Sequence, residues 1–160
     1  MAITSYLVVK ALHVMAVISA YGLPLAYPML LPYLRRRHPR SMPGVHSVQY
    51  RLNQRLTGVG TVLLFVFGAY LASKQHLWSK LWVAVPLGAF AAIVVLGGGI
   101  VVPSSRRMAE LAQADVEATA PGEAVAWGRE YERVYRRYMA VEVLLGVLVL
   151  TAIFFMVAKP

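Results

Sequence analysis

Two ionisable residues three positions apart, Lys10 and His13, stand in a stretch that is otherwise apolar. At i and i+3 they are neighbours on one helix face, which Tyr6, Val17 and Tyr21 extend. Ionisable groups in hydrocarbon are expensive. They tend to face the interior of a bundle, where they mark a site. An imidazole placed there can bond to a neighbour or bind a ligand. Plainer readings stand beside this one: Lys10 snorkels outward to the headgroups, and His13 only hydrogen-bonds across the bundle.

Glu142 is the one acid in the apolar runs, one turn beyond Tyr138. Arg51 and Arg55 lie at a similar depth. An ion pair from Glu142 to Arg55, directly or through Arg51, would satisfy both charges and lock two helices together. Asn53, Thr57 and Thr61 recur every four residues and make a polar stripe. Tight helix packing with side-chain hydrogen bonds accounts for such a stripe, and a polar pathway is the alternative. His38 and His46 fall in an arginine-rich linker and are expected in solvent or at headgroups. His76 lies in a short connection. Glu142 and His13 sit toward opposite ends and do not form one acid–base pair.

The chain has no cysteine, so disulfides, thiolate metal sites and iron–sulfur ligation are excluded. It has no phosphate loop, nucleophile elbow, zinc-protease motif or carboxylate dyad.

The elements that must position these residues are four apolar runs, 6–33, 56–73, 81–102 and 139–158. Each is close to the ~20 residues that a helix needs to cross a bilayer. They are apolar nearly all round, so lipid or other helices must surround them. At 59% hydrophobic residues, the 160-residue chain has no room for a separate soluble domain and reads as one integral membrane domain. The first run is longer than a signal-peptide core and is followed by arginines, so it reads as a span.

A net charge of +9 would suggest nucleic acid in a soluble protein, but here its placement argues for topology instead. The linkers after the first and third runs hold six arginines each. The positive-inside rule then puts both linkers in the cytoplasm and both termini outside. Trp78 and Trp82 mark the outer end of the third span, and Tyr33 and Tyr138 mark inner ends.

Gly22 and Pro24 predict a kink in the first span, with Pro28 and Pro32 making its inner half irregular. Gly58, Gly60 and Gly68 are spaced for close helix contact. Gly97–Gly99 require either a packed neighbour or a loosened helix, and Pro103 is expected to end the third span. Residues 108–119 read as a short helix broken by Ala120–Gly122. An amphipathic helix from Glu123 then presents Trp127, Tyr131, Val134, Tyr135 and Tyr138 on one face and runs on into the fourth span.

The stretch Val8–Val14 (VVKALHV) opening such a chain, and Pro103–Met108 (PSSRRM) after its third span, resemble a bacterial four-helix integral membrane family of unknown function. That family looks related to copper-resistance protein D-type domains and to the membrane-bound, haem-binding protoporphyrinogen oxidase. The resemblance implies a haem ligand at His13, with Lys10 matching the neighbouring lysine. No other span holds a histidine, so a bis-histidine b-type haem would need His76, or one axial position stays open.

The expectation is an all-α, four-helix transmembrane bundle in the bacterial inner membrane, N-out and C-out, with a cytoplasmic extension on the fourth helix. It binds haem b or a porphyrin near His13, Lys10 and Tyr21. The alternative is a cofactor-free accessory subunit, or a small channel or transporter component. The expected partners are the lipid bilayer and a second copy or another membrane protein, and not nucleic acid.

Overall fold

A computed structural model describes residues 5–159. Every element in that range is helical. The chain runs α1 (Ser5–Tyr21), α2 (Tyr27–Arg37), α3 (Met42–Leu52), α4 (Gly58–Lys74), α5 (Leu81–Leu96), α6 (Val102–Glu117) and α7 (Arg129–Ala158). Short helical turns join most of these into longer rods. Pro39–Lys74, Leu81–Glu117 and Arg129–Ala158 are each long and apolar enough to cross a membrane. Ser5–Tyr21 and Pro24–Arg37, bent by 41° at their junction, together make a fourth candidate. Large apolar side chains such as Met29, Leu81, Val95 and Val157 point outward, as lipid-facing positions must.

The bend falls where Gly22 and Pro24 place it. A Cβ at Gly22 would come within 2.6 Å of the Ile18 carbonyl oxygen, so only glycine fits the turn. Pro24 has no N–H to give to the Ala20 carbonyl four residues back. Thr57 fills that role from the neighbouring helix, its Oγ1 donating to Ala20 O at 3.1 Å. Beyond the bend, α2 is a regular helix and not the irregular half expected. Pro28 sits in its first turn, where no donor is needed, and the one interior proline, Pro32, is accommodated.

Gly60 and Gly68 act as their spacing implies. A Cβ at Gly60 would meet the Ala20 Cβ at 2.8 Å, and one at Gly68 would meet His13 Cε1 at 3.1 Å. Gly97–Gly99 take the second of the two options open to them. Nothing lies within 4 Å of a Cβ built on any of the three, and Gly97–Val101 widens into a π-helical turn. That wide turn absorbs Pro103, so α6 continues where a stop was expected. A second π-turn, Asn53–Thr57, joins α3 to α4 with no proline or glycine run to announce it.

The two halves of the molecule pack differently. At the arginine-rich end α3 lies along α6, and α2 and α6 meet α7 around a core of Leu31, Met42, Met108, Ala112, Tyr131 and Tyr138. In the apolar half α1 packs on α4 and α5 packs on α7, giving two helix pairs. Between them the core shrinks to Ala20, Tyr21, Ile93 and Val149. The helix expected from Glu123 begins at Arg129. Residues ahead of it form a turn and a non-helical stretch, tied down where Arg40 donates to the Ala120 and Glu123 carbonyls and Asp115 accepts from Gly128 N at 2.9 Å.

Thr57→Val should therefore orphan the Ala20 carbonyl and lower stability in detergent by about 0.6–1.7 kcal/mol, the range of interhelical hydrogen bonds in membranes. Restoring the backbone donor with Pro24→Ala should make the same substitution nearly neutral. Thermal unfolding of the four variants reads the cycle.

Candidate functional site

His13 lies on the inner side of α1. Its ring packs against Gly68, and its Nδ1 is buried with no hydrogen-bond partner among the described residues. The Leu64 backbone, one turn from Gly68 on α4, is the polar group beside the ring. His13 lines a cavity of about 370 Å³ between the two helix pairs. The remaining wall is almost wholly apolar, including Phe65, Phe90, Pro86 and Met156, with Tyr21 at one end. Phe65 and Phe90 stack across α4 and α5 with centroids 5.6 Å apart. Lys10 is exposed, and His76 is exposed on a positive-φ turn outside the cavity.

A second cavity of about 330 Å³ lies toward the arginine-rich end. Asn53, Thr57, Thr61, Gly97, Gly98 and Glu142 line it, and Tyr21 borders both cavities. The Tyr21 hydroxyl and Thr61 Oγ1 are 2.8 Å apart, so the polar stripe on the second rod both bonds to α1 and faces a void.

Glu142 does not pair with arginine. It is 3% exposed and accepts a hydrogen bond from Tyr138, one turn back on its own helix. Arg51 and Arg55 are both exposed, and Arg55 lies in the outer groove between α1 and α4. Similar depth placed the residues at one level, but the π-turn sets the facing of the helix, and it turns Asn53 inward and Arg55 outward.

The group that sequence reasoning misplaced is His46. It is fully buried, not solvated. Its Nε2 is 3.0 Å from the Tyr131 hydroxyl and its Nδ1 is 3.0 Å from Gln49 Oε1. Gln49 Nε2 donates to the Tyr138 hydroxyl at 2.5 Å, and Tyr138 donates to Glu142. The roles follow in one direction. Gln49 presents its oxygen to His46, so Nδ1 carries the proton, Nε2 accepts, and Tyr131 donates. Every donor in this chain points toward Glu142. The visible signal was His46 and Gln49 at i and i+3 on the extension of an apolar helix, opposite the tyrosine face of α7.

Arg35 closes this end. Its guanidinium pairs with Glu132 and lies over the rings of Trp127, Tyr131 and Tyr135 at 5.4, 5.4 and 4.8 Å. Arg107 pairs with Glu130 at 2.7 Å across α6 and α7.

The description "Predicted integral membrane protein (DUF2269)" matches residues 7–160, nearly the whole chain. The chain belongs to the DUF2269 family. No curated protein and no solved structure matches it. For this DUF2269 member, integration in a membrane therefore rests on both the family and the three or four apolar rods.

His46 lies outside the apolar run 56–73, on the arginine-rich extension of the same rod. Burial holds its imidazole below the ordinary range, Gln49 opposes this by hydrogen bonding, and the Arg35 charge adds to the lowering. A depressed histidine stabilises the fold where it is neutral in both states. That contribution is complete above about pH 6.5 and is lost as pH falls below it. Acidification from pH 7.5 to 5.5 should lower the melting temperature of the wild type more than that of His46→Gln. Gln49→Leu strands the His46 and Tyr138 groups together and should cost about 1–3 kcal/mol at neutral pH.

Proposed function

We propose that this protein is a membrane-embedded binding protein for a flat apolar ligand of the porphyrin class, b-type haem being the member that the Lys10–x–x–His13 motif suggests. The observation that carries the reading is the imidazole of His13, the one histidine in the wall of an otherwise almost wholly apolar cavity. A relationship to the copper-resistance protein D and protoporphyrinogen oxidase families belongs to the same proposal.

The residues present suit such a group. His13 Nδ1 turned to the Leu64 carbonyl would fix the tautomer and leave Nε2 for iron, the usual outer-shell arrangement of a ligating histidine. Met156 lines the same cavity from α7, and its thioether would be a further donor able to hold the iron. That arrangement has no need of His76, which stays outside. The stacked pair Phe65 and Phe90 would give the ligand an aromatic wall, Tyr21 would close one end, and Lys10 at the exposed edge suits a ligand's carboxylates. When bound, haem would supply one-electron redox chemistry. The protein's part is to bind it, orient it and exclude water from it.

In this reading the chain is a four-span protein of the inner membrane. The arginine-rich end lies in the cytoplasm and both termini lie outside, as the arginines of its two long linkers suggest. Activity from a cytoplasmic reporter fused at either terminus would overturn that orientation, while periplasmic activity at both is expected.

Protein made with added haem precursor should show a Soret band after purification. His13→Ala should lose or shift that band, and Met156→Leu should alter the spectrum without abolishing binding. An unchanged spectrum in His13→Ala, or no band in the wild type, rejects the site.

A further inference from the structure

The second cavity calls for a separate explanation. Glu142 is a carboxylate 97% buried by its own 3% exposure, and no lysine or arginine pairs with it among the described residues. Its Oε1 accepts from Tyr138, and the side chain lines the cavity. Nearby, Asn53 is 5% exposed, and its Nδ2 is buried without a partner. A buried carboxylate without a counter-charge is costly, and the directed chain from Tyr131 to Tyr138 supplies dipoles but no positive charge.

The cavity itself defines what could supply that charge. Glu142, Asn53, Thr57, Thr61 and the Tyr21 hydroxyl give it a polar side, while Ile93, Leu145 and Val149 give it an apolar one. A bare metal ion needs several oxygen ligands, whereas no group of three histidines or acids converges among the described residues. A volume of about 330 Å³ suits a small organic molecule. Access also fits. α4 packs on α1 and α5 on α7, with no comparable seam between α4 and α5. Val62 and Val94 line the cavity from those two helices and are 63% and 46% exposed. The mouth therefore opens sideways, toward lipid. Two π-turns flank the void, and such turns recur at functional sites.

We propose that this cavity binds a lipophilic organic ammonium ion. Its N–H groups donate to Glu142 and to the Thr57 and Thr61 hydroxyls, and its apolar body lies between the helix pairs after entry from the bilayer. The proposal is independent of the porphyrin reading, because Glu142 does not line the cavity beside His13.

The test is calorimetric titration of the purified full chain, in a neutral detergent, with 2-phenylethylammonium and with its uncharged counterpart 2-phenylethanol. The wild type should bind the ammonium saturably and at least about tenfold more tightly than the alcohol, the discrimination expected when a desolvated carboxylate gains a charged donor. Glu142→Gln keeps an oxygen for Tyr138 and should bring ammonium affinity down to that of the alcohol. Gly98→Leu leaves Glu142 untouched and adds a side chain where nothing stands within 4 Å of its Cβ. It should occlude the cavity and abolish both. Equal binding of ammonium and alcohol by the wild type, no saturable binding, or undiminished ammonium binding in either folded variant overturns the proposal. If Glu142→Gln does not fold, Gly98→Leu decides.

Discussion

A polar group buried away from water finds a partner inside the protein or goes without, and in this chain one line of hydrogen bonds answers that constraint. Tyr131, His46, Gln49, Tyr138 and Glu142 pass donors in a single direction across the seam between α3 and α7. The tyrosine face of α7 can be buried because its hydroxyls end on α3 and on Glu142. Tyr27 and Tyr135, whose hydroxyls are buried without a partner among the described residues, show the alternative. Arg35 seals the line from outside by covering three aromatic rings. With the arginine-rich end closed in this way, the apolar half can stay divided into two helix pairs, and the division creates both cavities.

The π-turns connect the two halves. Each widens a long rod where its apolar run meets the arginine-rich end, and each sits on the wall of the second cavity. Backbone that departs from the regular α-helix in a membrane is tolerated where it is buried in protein or lines a void. The Thr57 hydroxyl bonded to Ala20 O serves the same constraint at the bend of the first rod, replacing the donor that Pro24 lacks.

Much of the architecture was legible because hydropathy and breakers act locally. The apolar runs, the bend at Gly22–Pro24, the tyrosine face of α7 and the close approach at Gly60 and Gly68 all follow from residues read in place. What failed depended on helix rotation. Depth can be counted along a span, but facing shifts by about 100° for each residue that a π-turn inserts, since 3.6 residues complete a turn. Thus Arg55 and Glu142 share a level without meeting, and His46 and Gln49 turn from a basic linker into the core. Pro103 misled for the same reason, because the glycines ahead of it had already loosened the helix. The inward placement of His13 rests on its energetics together with the glycine opposite it; spacing marked Gly68 for a close contact, and the structure shows that α1 makes it.

The junction of the two halves depends on how Glu142 is held, and double-mutant cycles measure that directly. Stability in detergent is compared for Tyr138→Phe with Glu142→Gln, and for Arg55→Gln with Glu142→Gln. The hydrogen-bond chain predicts a coupling of about 0.6–1.7 kcal/mol in the first cycle and close to zero in the second. Coupling that appears with Arg55 and is missing with Tyr138 would contradict it, and would restore an ion pair as the lock between these helices.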